Sequence, residues 1–237
     1  MRFAQEGAKV LAVDRHYAFA EETAQLIRNE GFEALACVAD VTQQQTIAEA
    51  INLANDTWGT LDILHNNVGI SIEGGDATLD DIDEEAFDTI YRVNLRGTVF
   101  ACKHAVRIMK AQRRGVIINI ASNAAFGKYP YVAYKTTKAG VLAFTEQLAL
   151  QYAEYGIRAN AILPGLIATP MAVDRRATKL NKTREEVKAE RLSRIPLGRH
   201  GSAWDVANAA VFLASEEAAF ITGASLVVDG GQLLSRT

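Results

Sequence analysis

The stretch that decides the fold is Gly115–Lys138, GVIINIASNAAFGKYPYVAYKTTK. It opens with a short apolar run, rich in β-branched residues, which is typical of a strand buried on both faces of a parallel sheet. Ser122 follows where this strand is expected to end, and a loop then leads to a predicted helix. Tyr134 and Lys138 are spaced so that their side chains share one face of that helix, one turn apart. The stretch therefore predicts a hydroxyl, a phenol and an ammonium group at the carboxyl end of a strand.

These three groups support a particular proton-transfer chemistry. A free Tyr has a pKa near ~10, and a neighbouring ammonium favours the phenolate, so we expect Lys138 to lower the pKa of Tyr134. The phenol can then take a proton from an alcohol, or return one to a carbonyl, while Ser122 bonds the same oxygen. No side chain accepts the accompanying hydride, which implies a nicotinamide cofactor. For Tyr134 and Lys138 taken alone, an ordinary solvated helical pair is the alternative.

Composition and charge narrow the class of protein. With 237 residues and a formal net charge of −3, the chain is predicted to be one α/β domain, and its interspersed charges indicate neither nucleic-acid binding nor an anionic membrane partner. Cys37 and Cys102 have no metal-ligand or redox spacing, so we predict no metal site and expect buried thiols in a reducing cytoplasm. The sequence predicts no signal peptide and no apolar run near the ~20 residues of a membrane span.

Strands and helices are predicted to alternate along the chain. The predicted strands are Ala8–Asp14, Phe32–Asp40, Leu61–Asn66, Val116–Ile120, Ile157–Leu163 and Ser225–Asp229. Asp83 is predicted to cap a long helix that runs to about Gln112, and a second long helix extends from about Tyr131 to Tyr155. Capping boxes are predicted where three further helices begin, at Thr42, Thr183 and Ser202. Six strands alternating with helices indicate an α/β fold with a doubly wound parallel sheet.

Several motifs, in their order and structural settings, resemble those of the short-chain dehydrogenase/reductases. The matches are Asn66-Asn67-Val68-Gly69 (Val replaces the family's Ala), Asn94 in Val-Asn-Leu, Ser122, Tyr134-x-x-x-Lys138, Pro164-Gly165 and the closing Val-Asp-Gly-Gly. Each motif is weak alone, but together they cover nearly the whole chain. The resemblance implies a Rossmann-like, three-layer α/β/α enzyme that interconverts a secondary alcohol and a ketone with NAD(P).

The resemblance also implies a role for each site residue. Tyr134 looks like the general acid/base, Lys138 would lower its pKa and hold the nicotinamide ribose, and Ser122 would orient the substrate oxygen. Asn94 is similar to the residue that stabilises a helix kink and a water, extending a proton relay from Lys138. A tolerated Asn within a helix is the alternative for Asn94. Ser122 and Tyr134 are one residue closer than is usual in the family, which we interpret as a loop deletion that alters the substrate pocket.

The cofactor is predicted to be NAD rather than NADP. Asp14 ends the first predicted strand, where a carboxylate can bond the ribose 2′-hydroxyl and repel a 2′-phosphate. Arg15 beside it is the opposing signal, because its guanidinium can bind a phosphate. The resemblance implies further cofactor contacts, besides Tyr134 and Lys138, at Asp40, Val41, Asn67, Gly69, Pro164, Ile167 and Thr169. Turn formation is the alternative role for Asp40, Asn67 and Gly69.

The largest difference from the family lies at the amino terminus. The family carries a strand and a glycine-rich turn before the position that matches Phe3, whereas none of the 17 glycines here forms a G-x-G pattern. In the strand order 3-2-1-4-5-6 that strand is central, so the strands at Val10 and Ile63 are expected to have unpaired inner edges. Residues 1–237 are then either an amino-terminally incomplete dehydrogenase domain or a genuine short form. The short form would be a non-catalytic, oligomerising or binding protein with weak or no dinucleotide binding.

The substrate is expected to be a small alcohol or ketone of unpredicted identity. Aromatic and proline side chains surround the shortened loop at Phe126, Tyr129, Pro130 and Tyr131. Segment 170–201, which opens near Met171, is expected to close over the pocket as a lid. Its basic residues suit an anionic substrate or a solvated lid helix equally: Arg175, Arg176, Lys179, Lys182, Arg184, Lys188, Arg191 and Arg194. The resemblance implies a homotetramer that uses the two long helices and the carboxyl-terminal strand.

Overall fold

The computed structural model describes residues 1–169, 173, 177–178 and 181–235. The strands are β1 (Val10–Asp14), β2 (Ala34–Val38), β3 (Ile63–Asn66), β4 (Gly115–Ile120), β5 (Ile157–Pro164) and β6 (Ser225–Val228). The α-helices of this part are α1 (Arg2–Gln5), α2 (Tyr17–Asn29), α3 (Gln44–Trp58), α4 (Glu84–Tyr91), α5 (Gly97–Gln112), α6 (Val132–Tyr152), α7 (Arg184–Leu192) and α8 (Ala203–Ala214). The predicted alternation of strands and helices is confirmed, and every strand boundary lies within two residues of its expected position.

The strands form two parallel sheets. β1 pairs with β2, and β3, β4, β5 and β6 pair in that order. Within the described residues, no hydrogen-bonded ladder joins β1 to β3. Val10 donates its N–H to Glu33 and the Asp14 carbonyl accepts from Ala39, so the alternation of a parallel ladder turns the backbone groups of Leu11 and Val13 to the opposite edge. The expectation that β1 and β3 have unpaired inner edges is therefore confirmed for the described residues.

Helices cover both faces of the larger sheet. Ile117 of β4 packs into a cluster with residues of α3, α5 and α6, whereas Ile118 and Ile120 face α8 on the other side. All but one residue of β4 are buried, as its apolar run predicts. The β1–β2 sheet has a smaller cluster of its own with α1 and α2, in which Ile27 is the largest of the buried side chains and Phe32 packs against them. The Rossmann-like α/β fold is confirmed.

A π-helical turn interrupts the long helix that follows Asp83. Asp83 caps α4 by accepting the Ala86 N–H, and the turn Arg92–Arg96 connects α4 to α5. Asn94 lies in this turn and is fully buried. Single π turns within α-helices occur frequently at functional sites. The helix kink that the resemblance associates with Asn94 therefore takes the form of a locally widened helix.

Two of the three predicted capping boxes are present. The hydroxyls of Thr183 and Ser202 accept backbone N–H groups at the starts of α7 and α8, and the acidic side chains three residues later bond back. The prediction at Thr42 is wrong, because α3 begins at Gln44. The Asp40 carboxylate accepts the Thr42 N–H at 2.8 Å and closes a turn there, which moves the start of the helix.

Candidate active site

Ser122 lies immediately beyond the carboxyl end of β4. Its hydroxyl accepts the Ala124 N–H at 3.1 Å and caps the short 3₁₀ turn Asn123–Ala125. Ser122 is 8% exposed, and its hydroxyl lies close enough to the Tyr134 phenol to lower the pKa of that group. The local turn therefore fixes the Ser122 hydroxyl against the phenol that the sequence predicts as its partner.

Tyr134 and Lys138 occupy the first turns of α6. The Lys138 ammonium donates to the Ile120 carbonyl at 2.7 Å, which anchors it to the end of β4. Its Nζ lies 5.8 Å from the centroid of the Tyr134 ring. Lys138 is buried, so the solvated helical pair that was the alternative is not what the structure contains. The structure brings Ser122, Tyr134 and Lys138 together.

Burial dominates the electrostatics of this cluster. Burial lowers the pKa of the Lys138 ammonium to about 8. It also raises the pKa of the Tyr134 phenol above its ordinary value; the Ser122 hydrogen bond opposes this rise, and the charges of Glu73 and Asp76 add to it. The expected lowering of the Tyr134 pKa is therefore wrong for this structure. Desolvation of the phenolate outweighs an ammonium that is itself held by a carbonyl.

Asn94 joins the same cluster from the π turn. Its amide exchanges two 2.8 Å hydrogen bonds with the backbone of Ile70, accepting the N–H and donating to the carbonyl. It also donates to the Thr137 hydroxyl at 3.2 Å. A Cβ on Gly69 would lie 3.1 Å from Lys138 Nζ and 3.4 Å from Asn94 Oδ1. Glycine at this position leaves the two polar groups room to face the end of β3.

The residues predicted to contact adenosine lie at the carboxyl ends of β1 and β2. Asp14 ends β1, and one of its carboxylate oxygens accepts the His16 N–H at 2.8 Å. Asp40 makes the turn described above, so its alternative role as a turn residue is present. Val41 packs against Gly97. A Cβ added to Gly97 would lie 3.0 Å from both the Cβ and the carbonyl oxygen of Val41. The loop after β2 therefore reaches the start of α5, close to the π turn.

The remaining predicted cofactor residues follow β3 and β5. Asn67 is exposed beyond the end of β3, whereas Pro164 ends β5 and pairs with Val228. Ile167 forms an isolated parallel bridge with Gly201, and the Thr169 N–H bonds the Ile167 carbonyl. Because all these strands are parallel, their carboxyl ends share the edge at which α/β folds bind ligands.

A dinucleotide fits the nicotinamide end of this edge. Lys138, Asn94 and the space above Gly69 form a cradle that a Cβ would fill, and the Tyr134 ring centroid lies 5.8 Å from Lys138 Nζ. Asp14 would supply a carboxylate for the hydroxyls of an adenosine ribose. The sequence supplies no G-x-G turn for the pyrophosphate.

Sequence reasoning missed the carboxylate of Asp76. This side chain is fully buried and accepts the backbone N–H groups of Ala133 and Tyr134 at 2.9 and 3.0 Å. It also missed Lys135, whose ammonium donates to the carbonyls of Ala124 and Gly127 at 2.9 and 2.6 Å, in the loop that follows Ser122. The Gly74-Gly75 pair before Asp76 was a signal for a tight turn, but nothing in the spacing links that turn to α6.

The predicted lid lies partly outside the described residues, which leaves out Met171, Arg175, Arg176 and Lys179. Within the described part, Glu190 of α7 binds Lys182 at 2.8 Å and Arg194 at 3.3 Å. Arg191 is buried and donates to the Ile167 carbonyl at 3.1 Å. Three of the basic residues thus have internal partners, which favours a structural role over recognition of an anionic substrate.

Two other classes of site are absent from the part of the chain that the structure describes. No helix there combines the length and the apolar character needed to cross a bilayer. Those residues also contain no group of three or more His, Cys, Asp or Glu side chains that could hold a metal ion.

Comparison with known proteins identifies the family. A family model described as enoyl-(acyl carrier protein) reductase matches residues 1–232. The chain is 38% identical over 229 residues to 2-(S)-hydroxypropyl-CoM dehydrogenase 3 of Xanthobacter autotrophicus, an alignment that covers 96% of this chain and 88% of that protein. It is 39% identical over 217 residues to glucose 1-dehydrogenase 2 of Bacillus subtilis, covering 91% of this chain and 81% of the relative.

A solved structure leads to the same result. The crystal structure of a Burkholderia xenovorans protein described as a short-chain dehydrogenase/reductase superposes with a TM-score of 0.90 at 35% identity, and the alignment covers 100% of this chain and 88% of that one. The family that this structure and the sequence relatives indicate is the one that the motifs of Ser122, Tyr134 and Lys138 resemble, and these three residues form a cluster here. The chain belongs to the short-chain dehydrogenase/reductase family of oxidoreductases.

Proposed function

We propose that this protein is an NAD(P)-dependent oxidoreductase that interconverts a secondary alcohol and a ketone. The observation that carries the proposal is the convergence of one hydroxyl, one phenol and one buried ammonium at the end of β4. The two sequence relatives reported above are dehydrogenases by name, one of 2-(S)-hydroxypropyl-CoM and one of glucose, and both names support an alcohol as substrate.

Each side chain has a defined task in this reaction. A nicotinamide, when bound, accepts or donates the hydride. Tyr134 exchanges a proton with the substrate oxygen, and Ser122 holds that same oxygen by a hydrogen bond. Lys138 holds the ribose and favours the phenolate as the proton leaves. Asn94, bonded to the backbone of Ile70, keeps the π turn in place beside Lys138.

The protonation state of Tyr134 predicts the direction that each pH favours. Because burial raises the pKa of its phenol, Tyr134 carries its proton at neutral pH and is ready to donate it to a ketone. Alcohol oxidation needs the phenolate, which the charges of Lys138 and of an oxidised nicotinamide would favour. Reduction is therefore expected to be fastest near neutral pH, and oxidation at alkaline pH.

We propose NAD as the preferred cofactor. Support comes from Asp14, whose second carboxylate oxygen remains for a ribose hydroxyl after the first accepts the His16 N–H. Arg15, the opposing signal, bonds the His16 ring at 3.1 Å through its Nε. That contact directs part of the guanidinium toward His16.

A screen of secondary alcohols and sugars with NAD⁺ and NADP⁺, followed at the nicotinamide absorbance, tests the proposal. Turnover of at least one alcohol, faster with NAD⁺, is the expected result. The absence of turnover with either cofactor across the panel would contradict it.

A second candidate is a non-catalytic protein that binds dinucleotide weakly or not at all. The observation that favours it is the divided sheet, because β1 and β3 flank the place where a nucleotide-binding turn would lie. Calorimetric titration with NAD⁺ separates the candidates. Heat of binding at sub-millimolar NAD⁺ supports the enzyme, and no heat at millimolar NAD⁺ supports the second candidate.

We also propose that the protein is a homotetramer. Two sets of exposed apolar side chains support two interfaces: Phe87, Tyr91 and Leu150 on the long helices, and Phe220 and Val227 near β6. β6 is an open edge of its sheet, so it can approach a second copy. Light scattering after size exclusion should give four times the chain mass.

A further inference from the structure

The segment between β3 and α4 caps the amino terminus of α6, the helix that carries Tyr134 and Lys138. Tyr131, the residue before α6, makes no side-chain capping bond. Instead the Ala77 carbonyl accepts the Val132 N–H at 3.0 Å, and the Asp76 carboxylate accepts the N–H groups of Ala133 and Tyr134. Three of the four N–H groups that a helix leaves unsatisfied at its start are thus bonded by two consecutive residues of another segment.

The turn that carries Asp76 is closed on itself. The Asp76 N–H bonds the Ser71 carbonyl at 3.2 Å, and the Ser71 hydroxyl donates to the Asp76 carboxylate at 3.1 Å. Gly75 has a φ of +86°, and a Cβ there would lie 2.9 Å from that of Ala86. The left-handed glycine lets the turn approach α4 closely and places a fully buried carboxylate at the start of α6.

The same carboxylate is linked to the substrate loop. The Ser71 oxygen lies 2.7 Å from the phenol oxygen of Tyr129. Ser71 has one hydroxyl proton and gives it to Asp76, so the Tyr129 phenol is the donor in this contact. The hydrogen bonds therefore run from Tyr129 through Ser71 to Asp76. The Tyr129 ring lies 5.2 Å from the Tyr134 ring, at an interplanar angle of 36°.

We propose that Asp76 is a positioning residue that sets the distance between the catalytic phenol and an aromatic wall of the substrate site. One buried charge holds the backbone of Tyr134 directly, and it holds Tyr129 through Ser71. Tyr129 is then a specificity-determining residue, whose ring contacts the carbon skeleton of an alcohol or ketone beside the reacting oxygen. This inference rests on the proposed function, which it extends to the substrate side of the site.

The link can be cut without disturbing the helix cap. Ser71→Ala and Tyr129→Phe each remove one hydroxyl from the series of hydrogen bonds between Tyr129 and Asp76. Neither substitution removes a hydrogen bond to the backbone of α6. Each is expected to raise KM for the best alcohol of the panel about 3- to 10-fold, the effect of one lost hydrogen bond, with kcat within about twofold. The double variant should be no worse than either single variant, because both break the same link.

Matched controls separate this effect from general loss of stability. Ser215→Ala, at the end of α8, and Tyr155→Phe, beyond α6, each remove a side-chain hydroxyl of the same kind outside the link. Both control variants should keep the KM of the wild type. Asp76→Asn retains the size of the side chain but puts an amide group against two N–H donors, so it should lower kcat as well. Unchanged KM in the two link variants, or effects that multiply in the double variant, would overturn the proposal.

A measurement that needs no turnover tests the link separately from the proposed function. Hydrogen exchange of the protein alone should be faster in Ser71→Ala for peptides covering 126–131, while the amides of Ala133 and Tyr134 keep their protection. If exchange is faster in Ser71→Ala but neither the wild type nor any variant shows turnover, the proposed enzymatic function is refuted and the link is retained. Unchanged exchange at 126–131 would refute the link even if the protein is an active dehydrogenase.

Discussion

Burial of the Lys138 ammonium disfavours its charged form. Burial lowers its pKa from 10.5 to about 8, whereas in the unfolded chain it retains the ordinary value. Between these two values the unfolded chain binds more protons than the folded one, so the free energy of unfolding should rise with pH across the window. The buried charge of Lys138 therefore lowers the free energy of unfolding, so its function is not to stabilise the fold.

Lys138→Met should remove this pH dependence. Between pH 8 and 10 the wild-type chain is expected to gain on the order of 2–3 kcal/mol relative to the variant. Urea unfolding without added cofactor at several pH values measures the difference. Lys103→Met, at an exposed position of α5, is the control and should follow the wild type. A wild-type curve parallel to that of Lys138→Met would contradict the assigned pKa.

Asp14 should control the choice between NAD⁺ and NADP⁺. Asp14→Asn removes the charge that repels a 2′-phosphate and keeps the shape of the side chain, so the ratio of NADP⁺ to NAD⁺ dissociation constants should fall about tenfold or more. Calorimetry with both cofactors measures the ratio, and Asp56→Asn on the exposed face of α3 is the matched control. A ratio that does not change would show that Asp14 lies away from the ribose.

At the level of residues, sequence reasoning found the groups but not their environment. The four-residue spacing and the strand end placed Tyr134, Lys138 and Ser122 in one cluster. The direction of the Tyr134 pKa shift depends on burial, which a spacing does not contain. Asp76 was missed because its partners on α6 are 57 and 58 positions away along the chain.

At the level of elements, the π turn between α4 and α5 depends on one amide. Asn94 is fully buried and makes three hydrogen bonds, two of them with the backbone of Ile70. These bonds attach the widened turn to the loop after β3. An Asn in a helix interior has poor propensity, so its tertiary bonds are what stabilise it there.

Asn94→Ala should lower the free energy of unfolding by about 2–4 kcal/mol, because it removes the partners of the partly buried Ile70 N–H and carbonyl and empties a fully buried site. Asn52→Ala, at an exposed position of α3, should change it by less than about 0.5 kcal/mol. Denaturant titration of both variants measures the difference. Equal stability of the two variants would show that the π turn forms without this amide.

The boundaries of elements were predictable where the signal was local. The capping boxes at Thr183 and Ser202 depend on residues three positions apart, and both form. Thr42 has the same pattern, but the Asp40 side chain competes for the nearby N–H groups, and the N-cap of α3 is Gln43, one residue later. The Asp40 turn is itself a local structure, and it prevails over the capping pattern at Thr42.

At the level of the whole molecule, the divided sheet should make stability uneven. The inner edges of β1 and β3 have no ladder between them, and the β1–β2 sheet has its own small cluster with α1 and α2. The larger sheet has a helix layer on each face. The strand order of the family predicted the unpaired inner edges of β1 and β3, whereas the separation into two sheets is seen only in the structure. Strand order is a global property that no local sequence pattern contains.

Amides of β1 and β2 should therefore exchange with solvent faster than those of β4 and β5. Protection factors at least about a hundredfold lower are expected for the smaller sheet, because it can open without disrupting the larger core. Hydrogen exchange followed by mass spectrometry compares the two sheets in one sample. Equal protection across all four strands would show that the sheets open together.

In the proposed reaction, the Tyr134 phenol exchanges the substrate proton beside a bound nicotinamide. Tyr134→Phe keeps the ring on α6 and removes only the oxygen. The most direct test compares turnover of the best alcohol and the NAD⁺ dissociation constant in the wild type and this variant. We expect the variant to turn over at least about a hundredfold more slowly, with the dissociation constant of NAD⁺ nearly unchanged. Turnover retained within a few-fold would contradict it.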